Sequence, residues 1–228
     1  MPWPKIADAV VRRLVVYLRV LDQEAKRGER TISSYRLAAK TGVSPALVRK
    51  DLAWFGEFGT RGVGYDVGYL QEQLHKILGL SREVRAVLVG AGSLGVALTR
   101  YNVRRISEDR SISVRIVALF DTDPGKIGLM IDGIEVYPLR QLAEKVRELG
   151  ATMGIITVPA FAAQAVADEL VKAGIRGILN FAPIPIHVPP SVALQTADLS
   201  LEMQYLAYVM EAKRAEAKEP EAVATVGP

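Results

Sequence analysis

The 228-residue sequence contains no cysteine. That excludes disulfides, thiolate metal sites and thiol chemistry, so any redox role must work through a bound molecule. Histidine is almost as scarce: His75 and His187 lie far apart and offer no metal-ligand spacing, so no metal is expected. No run of ~18 uninterrupted apolar residues occurs, and the opening Met-Pro-Trp-Pro-Lys lacks the apolar centre of a signal peptide. No membrane association and a cytoplasmic location are the resulting expectations. Half of the residues are hydrophobic and 24% are charged, the balance of a folded globular chain of one or two domains, and two are favoured.

Charge is unevenly placed. Residues 1–67 carry 12 Lys and Arg against 7 Asp and Glu, a net of +5, whereas residues 68–228 carry 17 against 18, a net of −1. A basic first part is the footprint of a domain that meets a polyanion, although a solvated basic face gives the same count.

In that first part, Ile6, Ala9, Val10, Leu14, Tyr17, Leu18 and Leu21 recur at helical spacing over 6–26. Thr31-Ile32 can pair as a short strand, Ser33 or Ser34 can cap a helix through Leu37–Ala39, and Gly42 stops it in the left-handed position. Ser44-Pro45 then opens a second helix over 46–55. Two helices joined by a short glycine-containing turn make a helix-turn-helix. On the second helix Val48, Leu52 and Phe55 share a face to be buried, while Ala46, Arg49, Lys50 and Ala53 share one suited to a DNA major groove. The glycine-rich segment 57–65 reads as a hairpin wing with Arg61 near its tip, where a basic side chain can enter a minor groove. Ser44, Arg49, Lys50 and Arg61 are the candidate DNA contacts. A helix over 68–79 is expected to link this domain to the next.

The rest of the chain is organised around residues 84–98. An apolar strand runs into Gly90-x-Gly92-x-x-Gly95, and a helix pattern follows. That is a dinucleotide-binding unit: Gly90 for the tight turn, Gly92 for close approach of the pyrophosphate, Gly95 for helix–strand packing, and free helix N–H groups for the phosphates. The second strand, 114–120, ends in Asp121, 26 residues beyond Gly95 because of a polar insert over 104–113. An acid there holds ribose hydroxyls and repels a 2′-phosphate, which favours NAD over NADP. Further strands over 133–138, 154–158 and 177–181 alternate with helices over 139–149 and 162–173. Their ends make Thr157, Val158, Pro159, Asn180, Phe181 and Pro183 candidates for the pocket wall.

Asp198 or Ser200 can cap a last helix over 199–215, apolar on nearly every side, which calls for burial against a partner subunit. Residues 217–228 read as a disordered tail. The expected division is a winged-helix DNA-binding domain with linker helix (1–80), a Rossmann doubly wound α/β domain (81–197), a dimerisation helix (198–216) and the tail.

The run Val48-Arg49-Lys50-Asp51-Leu52, with Phe55-Gly56-Glu57-Phe58-Gly59 and Arg61-Gly62-Val63-Gly64-Tyr65, resembles the Rex family of redox-sensing transcriptional repressors. The likeness continues through Gly90-Ala91-Gly92-Ser93-Leu94-Gly95, Tyr101-Asn102, Phe120-Asp121, Thr157-Val158-Pro159-Ala160, Gly177-Ile178-Leu179-Asn180-Phe181 and Asp198-Leu199-Ser200-Leu201-Glu202. The resemblance implies a homodimer with a C-terminal helix swapped between subunits, and NADH and NAD⁺ bound as effectors. It also implies operator DNA held at low NADH/NAD⁺ and released when NADH binds. The matched runs place Ala91, Ser93, Leu94 and Tyr101 among the dinucleotide contacts.

Two other readings are weighed. An NAD-dependent dehydrogenase needs a substrate domain and a placed acid or base, and the chain after the Rossmann unit holds one helix and a tail. A CoA- or nucleotide-binding enzyme subunit leaves the basic first part unexplained. The chain is therefore expected not to be an enzyme. Arg13, Tyr101 and Asp198, polar residues at the expected domain junctions, are candidates for a relay that rearranges when NADH binds; snorkelling by Arg13 and capping by Asp198 are the structural alternatives.

Overall fold

The computed structural model describes residues 6–80, 82–108 and 113–222. The chain divides into two compact units, 1–83 and 84–228.

In the first unit, α1 (Asp8–Lys26) buries Leu14, Tyr17, Leu18 and Leu21, the three-and-four spacing that made it a helix. β1 (Thr31–Ile32) leads to α2 (Ser34–Thr41), and of the two serines offered as its cap it is Ser33 whose side chain accepts the Arg36 N–H, at 3.1 Å. α2 stops at Gly42, which takes φ +72°, a left-handed conformation that glycine adopts without a Cβ penalty. α3 (Pro45–Ala53) opens on Ser44, whose Oγ accepts the Leu47 N–H at 3.2 Å. β2 (Gly59–Thr60) and β3 (Gly64–Asp66) form the wing, and β3 also pairs with β1, all antiparallel in the order β1-β3-β2.

The next helix corrects an expectation. α4 (Val67–Leu78), capped by Asp66, is no mere linker: Val67, Leu70 and Leu74 are buried in one core with Leu14, Leu21, Val48 and Leu52. An apolar stripe at helical spacing needs a surface to cover it, and the small first unit supplies that surface.

The second unit holds β4 (Val84–Val89), α5 (Ser93–Glu108), β5 (Val114–Asp121), β6 (Met130–Ile131), β7 (Ile134–Pro138), α6 (Leu142–Leu149), β8 (Met153–Ile156), α7 (Ala160–Lys172), β9 (Gly177–Asn180), β10 (Ala193–Thr196) and α8 (Leu199–Ala222). Seven strands lie in the order β10-β9-β8-β4-β5-β7-β6, parallel except for β6, which forms a hairpin with β7. This is the doubly wound order, with its switch point between β4 and β8. Asn102 ties α5 to β5 with both ends of its amide: Nδ2 donates to the Val114 carbonyl and Oδ1 accepts the Ile116 N–H.

α5 extends through 104–108, where a polar insert was expected, because the polar side chains occupy its solvent face and Arg104 pairs with Glu108 one turn on. Residues 109–112 of that insert lie outside the described residues. β6 and β10 were not foreseen: the first is two residues long, and the second is exposed throughout and so carries no alternating pattern. α8 likewise runs on to Ala222, through the start of the expected tail, over a stretch rich in the helix formers Ala, Glu and Lys. Residues 223–228 lie outside the described residues. Among the described residues no helix is long and apolar enough to cross a membrane.

Candidate nucleotide cleft and nucleic-acid face

The carboxyl ends of β4, β5 and β8 frame a cleft of about 740 Å³ in the second unit. Gly90, at φ +106°, turns the chain so tightly that a Cβ would stand 2.6 Å from the Thr157 carbonyl oxygen. Its N–H donates to the Phe120 carbonyl at 2.8 Å, and the Thr157 hydroxyl donates to the Gly90 carbonyl at 2.8 Å. Thus the turn is held from both neighbouring strands. At Gly95 a Cβ would run into the Gly90 carbonyl, so α5 packs directly on the turn; at Gly92 it would meet nothing within 4 Å, leaving backbone open towards the cleft.

Asp121 closes β5 and spends both carboxylate oxygens. Oδ2 accepts the Ala91 N–H at 2.8 Å and the Lys126 ammonium at 3.1 Å; Oδ1 accepts the N–H groups of Thr122 at 2.8 Å and Asp123 at 2.9 Å. Partial burial pushes the Asp121 pKa up, but the Asp123 N–H, Lys126 and the Ala91 N–H outweigh it and hold the group below the usual carboxylate range.

Ser93, Leu94, Thr157, Val158 and Pro159 line the same cleft as Gly90, Gly92 and Asp121, whereas Ala91 is buried and offers its N–H to Asp121. Four predicted residues stand apart from it, one of them Pro183, which does not line it. Asn180 is fully buried, and its amide is spent on the loop after β9: Nδ2 donates to the carbonyls of Ala182 and Ile184, and Oδ1 accepts the Ala182 N–H. Phe181 packs on the core that includes Leu88 and Ile155. Tyr101 lies in the middle of α5, is 62% exposed and does not line the cleft.

Among the lining residues that escaped the sequence reading are Lys126, Leu139 and Phe161. Phe161 is 90% exposed at the start of α7, and that position carries no helical-face signal. Lys126 was detectable in principle, as a cation five residues past the strand-ending acid. The wall of Leu139, Val158, Ala162, Ala165 and Val166 is apolar and its rim, with Asp121, Lys126 and Glu169, is charged. A flat heterocycle on a polar ribose suits that combination. Among the described residues no group of three His, Cys, Asp or Glu side chains is placed to hold a metal ion.

In the first unit, α3 buries Val48 and Leu52 and leaves Ala46, Arg49, Lys50 and Ala53 exposed. Arg49 Nη1 donates to Ser34 Oγ at 2.9 Å, which parks the guanidinium against α2. Arg49 and Arg61 face one groove of about 870 Å³ between α3 and the wing, with Arg61 in the turn that joins β2 to β3. Ser44 is exposed and caps α3, so its hydroxyl is already engaged on the backbone.

Arg13 is committed to Asp51 of α3, through Nε at 2.6 Å and Nη2 at 2.7 Å, beside Tyr17. Asp198 caps α8, its Oδ1 accepting the N–H groups of Ser200 and Leu201. On α8 the apolar Leu201, Met203, Tyr205, Leu206, Tyr208 and Met210 are all exposed, an uncovered surface around the whole helix.

Comparisons with known proteins fall on the same two units. Residues 81–184 match a family model described as "CoA binding domain", and residues 5–53 match one described as "Putative DNA-binding protein N-terminus". Over 92% of this chain, the sequence is 47% identical to the redox-sensing transcriptional repressor Rex of Desulfitobacterium hafniense, covering 98% of that protein. It is 48% identical over 92% of the chain to the Rex of Desulforamulus reducens, covering 97% of that protein. A solved structure of RSP with beta-NAD⁺ and operator DNA superposes with a TM-score of 0.84 at 35% identity, covering 96% of this chain and 98% of that one. RSP in complex with beta-NADH gives 0.81 at 33% identity, covering 94% and 98%.

Proposed function

The chain belongs to the Rex family of redox-sensing transcriptional repressors, and from that premise we propose that it binds operator DNA as a homodimer and lets go when NADH enters the cleft of its second unit. It is a repressor and not an enzyme: the dinucleotide is a signal, and the NADH/NAD⁺ ratio is what the chain reports. One observation carries the reading, the presence in one chain of a braced glycine turn with its strand-ending acid and of a basic helix-and-wing face.

Gly90, Gly92, Ser93 and Leu94 cradle the pyrophosphate on the N-terminus of α5, which Gly95 lets pack against the turn; Thr157, Val158 and Pro159 line the neighbouring wall, and Asp121 takes the adenosine ribose. An acid at that point opposes a phosphate on the same ribose, which disfavours NADP and CoA alike. Arg49 and Lys50 on α3 and Arg61 on the wing meet the duplex. Two copies joined through the apolar α8 present two such faces to the two halves of a palindrome, and a DNA ligand of this kind places the work in the cytoplasm.

Release follows from linkage. If NADH binds better to a dimer whose two α3 helices are wrongly spaced for successive major grooves, NADH and operator weaken each other's binding. Arg13, Tyr101 and Asp198 are the candidates for passing that change on; Arg13 starts from its contact with Asp51. Fluorescence anisotropy on a labelled palindromic duplex tests the proposal. Retention without dinucleotide and with NAD⁺, and loss with NADH, is expected. Equal retention with both dinucleotides at saturation contradicts it.

A further inference from the structure

Asp51 is an acid on the DNA-facing helix that points away from anything a duplex offers. Its neighbours Arg49 and Lys50 are exposed, yet Asp51 is 2% exposed, and α1 clamps its carboxylate. Arg13 makes the two-pronged contact described above, and Tyr17 Oη donates to Oδ2 at 2.8 Å. Arg13 is held protonated by the same contact, and burial followed by the hydrogen bond to Asp51 pushes the Tyr17 hydroxyl well above its ordinary pKa. Arg13 and Tyr17 therefore keep one protonation state at neutral pH.

The arrangement does something apolar packing cannot. α3 is nine residues long and rests on Val48 and Leu52, one turn apart, and burial of such side chains has no preferred direction. Two apolar contacts in a row hold the helix down but fix its angle about its own axis less well than a directional contact does. At ~100° per residue, Asp51 lies well to one side of that row, and a forked guanidinium–carboxylate contact fixes an angle as well as a distance. With a radius of ~5–6 Å including side chains, a roll of ~20° displaces a side-chain tip by about 2 Å. That is enough to spoil a two-pronged contact to a base edge. The other helix of the motif is pinned to α1 in the same way with the charges reversed: fully buried Glu24 of α1 draws Arg36 and Lys40 of α2, at 2.6 and 3.1 Å.

We propose that Asp51, held by Arg13 and Tyr17, is a positioning residue for operator reading: it sets the roll of α3, and hence where Arg49 meets the bases and Lys50 the phosphates. The contact also keeps the Asp51 charge out of the field of the phosphates. The proposal rests on the DNA-binding reading above and extends it to residues that touch no DNA.

The test uses the full-length chain and a duplex that the wild-type protein selects from a randomised pool, beside a scrambled duplex of equal length. Tyr17→Phe removes one of the three hydrogen bonds and leaves the Arg13 pair, so the fold persists; Asp51→Asn and Arg13→Lys are compared where thermal melts show them folded. Tyr17→Phe is expected to weaken the selected duplex about five- to tenfold, in the range of one lost hydrogen bond, with the scrambled duplex and NADH changed less than about twofold. A role in stability alone would lower the melting temperature and leave the ratio of the two duplex affinities where it was, and that result overturns the proposal. A wild-type chain that selects no duplex overturns instead the DNA-binding reading on which it rests.

Discussion

The carboxylate of Asp121 accepts the N–H of Ala91 at 2.8 Å, so the acid proposed to hold the ribose also braces the turn proposed to hold the pyrophosphate. Replacing it strikes both halves of the cleft. Asp121→Asn is expected to weaken NADH about tenfold, equivalent to ~1.4 kcal/mol, while NADPH loses less because a repelling charge is gone. NADH and NADPH titrations by fluorescence measure both, and an unchanged NADH/NADPH ratio would contradict the assignment.

The pH dependence follows from the depressed Asp121 pKa. A carboxyl lowered on folding contributes stability that is complete above its unfolded value of ~3.9 and is lost as pH falls through the still lower folded value. The brace therefore stays ionised across the neutral range. NADH affinity measured from pH 5 to 8 is expected to show no step that Asp121→Asn removes; such a step would count against the bracing role.

The two further glycines of the turn separate stability from binding. A Cβ at Gly92 meets nothing, so Gly92→Ala is expected to change unfolding free energy by less than ~0.5 kcal/mol and still impair NADH binding, because the methyl group occupies the approach of the phosphates. A Cβ at Gly95 collides with the Gly90 carbonyl and stands 2.9 Å from both the Leu88 side chain and Thr157 Oγ1, so Gly95→Ala is expected to cost ~1–3 kcal/mol in denaturant melts. Equal stability loss at both positions would place the cleft elsewhere.

Arg49 and Lys50 share a helix and are expected to behave differently on DNA. Arg49 must leave Ser34 to reach a base. Arg49→Ala should cost ~1–3 kcal/mol on the selected duplex and relax its sequence preference, while Lys50→Ala should chiefly reduce the slope of log affinity against log salt by about 1. Affinity measured across a salt series on matched and mismatched duplexes distinguishes them. Uniform loss for both would mean that neither reads bases.

Much of this was legible in the sequence because its signals are local. Ser33, Gly42, Ser44 and Pro45 mark the helix ends by their own hydrogen bonds and φ angles, and the Gly90–Gly95 spacing with Asp121 reflects how closely the backbone must pass. What escaped depends on distant partners. Nothing near Asp51 in sequence says that an acid between Lys50 and Leu52 is buried, since Arg13 lies 38 residues away. Asn180 looked like a pocket residue because it ends a strand, and only the path of the loop to Ile184 shows its amide turned inward. The exposed edge strand β10 has no alternation to detect, and α4 looked like a linker because its packing surface is contributed by α1.

The uncovered apolar residues of α8 give the proposed homodimer a test of its own. Leu201 and Leu206 are both exposed, and burying a leucine contributes ~1.5–3 kcal/mol. The double variant Leu201→Glu, Leu206→Glu is expected to sediment as a monomer and to lose the palindromic duplex while keeping NADH. A variant that remains dimeric would assign the subunit contact to another surface.

NADH and operator are proposed to oppose each other through one equilibrium, and a thermodynamic cycle of four affinities measures that opposition: NADH with and without saturating duplex, and duplex with and without saturating NADH. Each ligand is expected to weaken the other by the same factor, on the order of 10²–10⁴ for a practical switch, with NAD⁺ giving a far smaller one. Factors of one in both directions, with NADH and duplex bound together, would contradict it.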